Sequence, residues 1–212
     1  MGGYLLPKFT EEEKKLLKGS YDYIGINHYT TSYVSRPGFK LPFKDPDAVS
    51  ANPLAPFATS HYNLKGEYIG NRASSVWLWS VPWGMTKTLE YIQKRYSDPD
   101  IYIMENGFSV PEENHMPLHE VIHDVQRIYY YQDYLNAIQI AMKESNVKVK
   151  AYIAWTLMDN FEWNSGFTTP FGVCKMDLKS GKRYFKDSAS YLKKYFASAI
   201  QNVYDDFIFG LE

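Results

Sequence analysis

Two segments of the sequence place a residue that can do chemistry at the end of an apolar or aromatic run. Glu105 directly follows the run 101–104 and precedes Asn-Gly, so its carboxylate is predicted to lie where a strand ends. Asn27 and Tyr29 are two residues apart near the end of a second run, 21–29, and would project from the same face of a strand. A tyrosine hydroxyl beside a carboxylate can orient it. Taken singly, an exposed loop glutamate and a tyrosine bonded to backbone explain these residues as well.

A third segment is dense in aromatic and polar residues. The run 147–157 is apolar at its centre. Five aromatic or polar residues stand within nine positions at its end and directly after it: Trp155, Asp159, Asn160, Glu162 and Trp163. Polar groups buried at such a position need partners, which makes simple core packing a weak explanation. The aromatic content of 17% also favours a site for amphipathic ligands such as sugars, although an aromatic-rich core explains that number equally well.

The elements that must position these residues alternate between strands and helices. Each predicted strand is followed along the chain by a predicted helix, and these helices cover 85–96, 119–145 and 188–199. This order predicts an α/β fold with parallel strands. The apolar character of the last strand predicts burial on both of its faces. In such folds the chemistry lies at the carboxyl ends of the strands, where the three segments fall.

Two other segments complete the predicted organisation of a single domain over residues 1–212. Thr10 and Glu13 have the spacing of a capping box at the start of a short helix that ends by Gly19. Residues 30–75 carry five prolines and are predicted to form a long loop on the active-site side.

Composition excludes several classes of function. Lys and Arg total 23 against 24 Asp and Glu, and no cluster of like charge occurs, so neither nucleic acid nor an anionic membrane is an expected partner. The single cysteine, Cys174, excludes an internal disulfide framework and a cysteine zinc cluster. No basic and apolar leader opens the chain, which favours an intracellular location unless the native N-terminus is missing.

The sequence HEVIH at 119–123 matches the H-E-x-x-H signature of zinc metalloproteases. Such a site needs a third ligand, and Glu144 follows His123 by 21 residues. No Gly or Pro interrupts 118–145, so one continuous helix is predicted, which would place Glu144 about 30 Å from His123. We therefore expect a solvated helix face here and no metal.

A series of short motifs covers nearly the whole chain: LPKFT (6–10), GSYDYIGINHYT (19–30), VPWG (81–84), IYIMENG (101–107), AWTLMDNFEW (154–163) and GKRY (181–184). In this order they resemble the C-terminal part of glycoside hydrolase family 1, the β-glucosidase family. Each motif is weak alone, whereas their joint order is specific.

The resemblance implies a (β/α)8 TIM barrel, of which this chain would supply strands six to eight with their helices. Barrels of this type need about 250 residues. The family's Asn-Glu-Pro motif, which carries the acid/base glutamate at strand four, does not occur in these 212 residues. A partial barrel leaves sheet edges open, so we expect either an N-terminal half of the barrel or self-association to cover them.

The resemblance also assigns catalytic roles. Glu105 is implied as the nucleophile of a retaining glycosidase, which uses two carboxylates about 5 Å apart. Tyr29 would hydrogen-bond this carboxylate, and Asn27 would share that task. The second carboxylate would come from the part of the barrel that these residues lack.

Substrate-binding residues are implied in the same way. Glu162 would accept hydrogen bonds from two hydroxyls of the terminal sugar, Trp163 would donate its indole N–H, and Trp155 would stack under the ring. Trp77 and Phe171 are weaker candidates for the outer, aglycone side. A carboxylate at Glu162 would repel a phosphate on the sugar, which argues against phosphorylated substrates.

The resulting expectation is the C-terminal portion of a retaining β-glycosidase that hydrolyses terminal, non-phosphorylated β-D-glucosides or similar sugars, with no cofactor. The alternative is a non-catalytic sugar-binding or partner-docking remnant of the same barrel. A catalytic half should regain activity with a matching N-terminal half, and a remnant should not.

Overall fold

The computed structural model of the protein describes residues 7–36 and 58–209. Residues 37–57, the centre of the predicted loop 30–75, lie outside the described residues. The helices are α1 (Glu11–Leu17), α2 (Pro82–Arg95), α3 (Leu118–Val121), α4 (Val125–Ser145) and α5 (Asp187–Phe209). The strands are β1 (Ile24–Asn27), β2 (Tyr33–Ser35), β3 (Ala58–Ser60), β4 (Asn71–Arg72), β5 (Trp79–Ser80), β6 (Ile101–Asn106), β7 (Val149–Ala154), β8 (Cys174–Met176) and β9 (Arg183–Phe185).

The main sheet has three parallel strands in the order β1-β6-β7. This confirms the predicted α/β fold with parallel strands and crossover helices. The remaining strands form three short antiparallel pairs, β2-β3, β4-β5 and β8-β9. The described ends of the predicted loop 30–75 therefore contain strands of two or three residues, which are too short to show a periodic pattern in sequence.

The core lies between the sheet and the helices α2 and α4. Ile101 and Ile103 of the central strand β6 are fully buried, as are Met85 and Leu89 of α2. No residue of β7 is fully buried, and Ile153 is 48% exposed. The expectation that this strand is buried on both faces is therefore wrong for the described chain, because β7 is the outer strand of the sheet and only β6 has a strand on each side.

The helix predicted over 119–145 is broken in the structure. It consists of α3 and α4, with Ile122 to Asp124 between them. The carboxylate of Asp124 accepts hydrogen bonds from the backbone N–H and the hydroxyl of Ser188, and it pairs with Arg127. These tertiary bonds hold the chain in a non-helical conformation at Asp124, which the local sequence does not reveal.

Helix α1 begins with the predicted capping box. The Thr10 hydroxyl accepts from the N–H of Glu13 at 3.2 Å, and the Glu13 carboxylate accepts from the N–H of Thr10 at 2.7 Å. No residue of α1 is buried, and Leu16 is 77% exposed. Among the described residues, no helix combines the length and apolar character that a membrane span requires.

Candidate active site

Glu105 lies near the end of the central strand, where β1 delivers Tyr29 to it. Asn27 pairs with Glu105 in the parallel ladder, and the next residue, His28, donates its N–H to the Glu105 carbonyl oxygen at 3.0 Å. One residue further on, the Tyr29 hydroxyl donates to Glu105 Oε2 at 2.7 Å. The two segments singled out by their chemistry therefore meet, and the phenol fixes one oxygen of the carboxylate.

The Tyr29 ring is held by aromatic contacts on two sides. Its centroid lies 5.7 Å from Trp77 and 6.1 Å from Phe171, both in edge-to-face geometry. Burial raises the pKa of Tyr29, and the hydrogen bond and negative charge of Glu105 raise it further. The phenol therefore stays protonated and remains a donor to the carboxylate across the physiological pH range.

The third segment brings a second carboxylate into the same site. Trp155 Nε1 donates to Glu162 Oε1 at 2.9 Å. Burial raises the pKa of Glu162, the hydrogen bonds from Trp155 and Asn160 oppose that shift, and the nearby charge of Glu105 adds to it. The two carboxylates thus lie close enough to influence each other, as groups that line one anionic site do.

Trp155 packs closely on the turn after the nucleophile candidate. A Cβ on Gly107 would lie 1.8 Å from the Trp155 carbonyl oxygen, so only glycine fits. The Trp155 N–H also donates to the carbonyl oxygen of Asn106 at 2.8 Å. The spacing between the end of β6 and the segment that starts at Trp155 is therefore set by backbone contact.

The remaining predicted site residues are placed less centrally. Asn27 is exposed, and its side chain makes no hydrogen bond to Glu105 within the described chain. Trp163 is 85% exposed and Trp77 is 47% exposed, so both are available to a ligand. Phe171 is only 2% exposed and supports the Tyr29 ring from the core side, a position that suits packing better than ligand contact.

A buried ionic cluster supports the loops that carry these residues. Arg127, fully buried, pairs with Glu113 and Asp124 and donates to the carbonyl oxygens of Phe108 and Pro170 at 2.9 Å and 3.2 Å. Its guanidinium therefore links the loop that follows Glu105 to the loop that follows Trp155. This link through Arg127 could not be predicted from the sequence, because an arginine on a helix is most often exposed.

Asp159 and Lys186 extend the cluster beneath the segment 155–174. Lys186 is 1% exposed and pairs with Glu113 and Asp159. Asp159 Oδ1 also accepts from the N–H of Gly172 at 3.0 Å. Asp159, which the sequence places beside Glu162, therefore holds the loop together and is 9% exposed in its side chain.

The H-E-x-x-H residues do not form a metal centre in the structure. His119 lies in α3, whereas His123 lies in the break before α4, and its Nδ1 is 2.7 Å from Asp187 Oδ2. No group of three or more His, Cys, Asp or Glu side chains with metal-binding geometry occurs within residues 7–36 and 58–209.

The site thus combines a tyrosine-bound carboxylate near the end of β6 with a tryptophan-bound carboxylate in the segment that follows β7. The sequence profile of glycosyl hydrolase family 1 matches residues 3–200, and the chain belongs to this family. It is 43% identical over 189 residues to beta-glucosidase 44 of Arabidopsis thaliana, and 38% identical over 198 residues to beta-glucosidase 26 of Oryza sativa subsp. japonica. These alignments cover 89% and 93% of this chain but only 36% and 37% of the relatives.

Solved structures of beta-glucosidases also superpose on this chain over part of their length. A family 1 beta-glucosidase from the fungus Humicola insolens, in complex with glucose, superposes with a TM-score of 0.81 at 40% identity. The superposition covers 92% of this chain and 40% of the fungal one. A rice Os3BGlu6 beta-glucosidase superposes with a TM-score of 0.78 at 36% identity. The chain is thus an α/β portion of a family 1 fold and spans about two fifths of these relatives.

Proposed function

We propose that this chain supplies the nucleophile and part of the sugar-binding surface of a retaining β-glycosidase. Glu105 attacks the anomeric carbon and forms the glycosyl–enzyme intermediate, while the leaving group departs with a proton from a second carboxylate. Tyr29 donates a hydrogen bond to the nucleophile and keeps it aimed. The observation that carries the proposal is the 2.7 Å hydrogen bond from Tyr29 to Glu105 near a strand end, in a chain of this family.

The substrate class that we propose is a terminal, non-phosphorylated β-D-glucoside or a similar sugar. Glu162 and Trp163 bind hydroxyls of the sugar, Trp155 stacks against its ring, and Trp77 lies towards the aglycone. Support comes from the negative environment that Glu105 and Glu162 create together, since it favours neutral hydroxyl donors over a phosphate. The glucose complex of the Humicola insolens relative fits the same class.

The acid/base carboxylate is proposed to come from residues outside the 212 described by this sequence. Among the described residues Glu162 is a second carboxylate at the site, but its hydrogen bond to Trp155 suits sugar binding. We assign the three parallel strands to barrel strands six to eight, so the first five strands would complete the site. This completing polypeptide is the proposed partner of the chain.

Reconstitution tests this function. The 212-residue chain is mixed with the N-terminal portion of a family 1 β-glucosidase, and hydrolysis of an alkyl β-glucoside is followed. We expect activity only in the mixture, because the unactivated leaving group needs protonation, an effect worth about 10²–10⁴-fold. Glu105→Gln should abolish it, whereas Glu112→Gln, at an exposed glutamate seven residues later, should not. A folded mixture that binds glucose without turnover would favour the non-catalytic alternative.

A further inference from the structure

Two tyrosines of helix α4 hold the backbone of Tyr29. The hydroxyls of Tyr130 and Tyr134 donate to the Tyr29 carbonyl oxygen at 2.7 Å and 2.9 Å. Both side chains are at most 2% exposed. A carbonyl oxygen has two lone pairs, so these donors saturate it and fix the peptide that carries the Tyr29 ring.

Tyr130 is also tied to the residue that follows Glu105. Asn106 Nδ2 donates to the Tyr130 hydroxyl at 2.9 Å and to the His28 carbonyl oxygen at 2.8 Å. Asn106 Oδ1 accepts from the Tyr152 hydroxyl at 2.6 Å. One phenol of α4 is therefore bonded to the backbone of Tyr29 and to the side chain next to Glu105, on two neighbouring strands.

We propose that Tyr130 and Tyr134 are positioning residues that set where the Tyr29 phenol meets the Glu105 carboxylate. They act through the Tyr29 carbonyl and, for Tyr130, through Asn106. Their catalytic meaning rests on the proposed function, whereas their effect on the geometry of the pair does not depend on turnover.

The chemistry of the two phenols suits this role. Burying a hydroxyl without a partner is costly, and phenylalanine would fill the same core volume without that cost. Burial raises the pKa of Tyr130 well above its ordinary value and that of Tyr134 to about 12, so both remain donors. Tyr134 in turn accepts from the Val81 N–H at 3.1 Å. The same helix reaches the other flank of the site, where the Tyr131 hydroxyl lies 3.3 Å from the Trp155 carbonyl oxygen.

The test measures the hydrogen bond between Tyr29 and Glu105 in the full 212-residue chain at neutral pH. Tyrosine is labelled with ¹³C at Cζ, the Tyr29 line is assigned with Tyr29→Phe, and the change of its chemical shift on Glu105→Gln is recorded by NMR. We expect Tyr130→Phe to reduce that change to about half or less, because the phenol moves away from the Glu105 carboxylate. Tyr129→Phe is the matched control, since it removes the neighbouring hydroxyl on the same helix from a ring that is 61% exposed.

The outcomes separate positioning from packing. If Glu105→Gln changes the Tyr29 chemical shift as much in Tyr130→Phe and Tyr134→Phe as in the wild type, and only the melting temperature falls, the proposal is overturned. Tyr134→Phe leaves the Tyr130 hydrogen bond in place and carries the same readout if Tyr130→Phe does not fold. Since no substrate is used, a failed reconstitution of glycosidase activity would count against the proposed function and leave this result standing.

Discussion

Replacing Arg127 by methionine should destabilise the chain strongly. The guanidinium is fully buried and pairs with two carboxylates that are each 1% exposed in their side chains, Glu113 and Asp124. Burial disfavours its charge, but these two carboxylates outweigh that effect and raise the pKa of Arg127. Methionine would fill most of the volume while leaving the carboxylates with less compensation.

The expected loss of unfolding free energy is about 3–5 kcal/mol, the usual cost of removing one partner from a buried ion pair. The lost hydrogen bonds to the Phe108 and Pro170 carbonyl oxygens would each add about 1–3 kcal/mol where the oxygen is left without a partner. Urea denaturation at neutral pH, followed by tryptophan fluorescence, measures this difference. Because the cluster is buried, raising the salt concentration should change the difference little.

Arg95→Met is the matched control. Arg95 is exposed, and its guanidinium lies 5.5 Å from the Tyr96 ring centroid, a contact worth about 0.5–1 kcal/mol at an exposed site. A loss below about 1 kcal/mol in Arg127→Met, similar to that of the control, would refute the view that the buried cluster holds the site loops in place.

Three further predictions concern pH, packing and assembly. His28 is partly buried, its buried Nδ1 has no partner among the described residues, and burial lowers its pKa from 6.5 to about 4. Since unfolded His28 binds a proton first as pH falls, stability should drop by about 2 kcal/mol from pH 7 to pH 5 in urea titrations, and His28→Phe should remove that loss. Gly107→Ala should cost about 1–3 kcal/mol through its clash with the Trp155 carbonyl. Gly25→Ala should cost less in the same titration, because the nearest group to its Cβ is the flexible Met104 side chain. The outer strands β1 and β7 should drive self-association of the chain in sedimentation experiments, and a monomer at all concentrations with no binding of a hydrophobic dye would contradict this.

The order of strands and helices could be predicted because long apolar runs dominate it. The same reasoning placed Tyr29 and Glu105 at strand ends on one edge of the sheet, whereas their hydrogen bond was implied only by the resemblance to the family. The break before α4 could not be predicted in this way, because Asp124 is held by Ser188, which is 64 residues away in sequence.

Tyr130 and Tyr134 show a different limit of sequence reasoning. They are four residues apart on a helix and would pass for core residues, which in part they are. Their hydroxyls reach the carbonyl oxygen of Tyr29, just after β1, only in the tertiary fold. Their spacing in the sequence therefore predicts burial but not these hydrogen bonds. Hydrophobicity alone does not identify the buried face of this helix, since Val125 is 46% and Met142 is 40% exposed, while Arg127 is buried.

The role of Glu105 as nucleophile is tested most directly by covalent labelling of the reconstituted enzyme with an activated 2-deoxy-2-fluoro-β-D-glucoside. Proteolysis and mass spectrometry then locate the trapped sugar. If Glu105 is the nucleophile, we expect one labelled peptide, which contains residues 103–107 and carries the sugar on Glu105. We expect no label in Glu105→Gln. A label on Glu162 would reverse the two roles, and an active enzyme without label on either residue would contradict the assignment of the nucleophile to this chain.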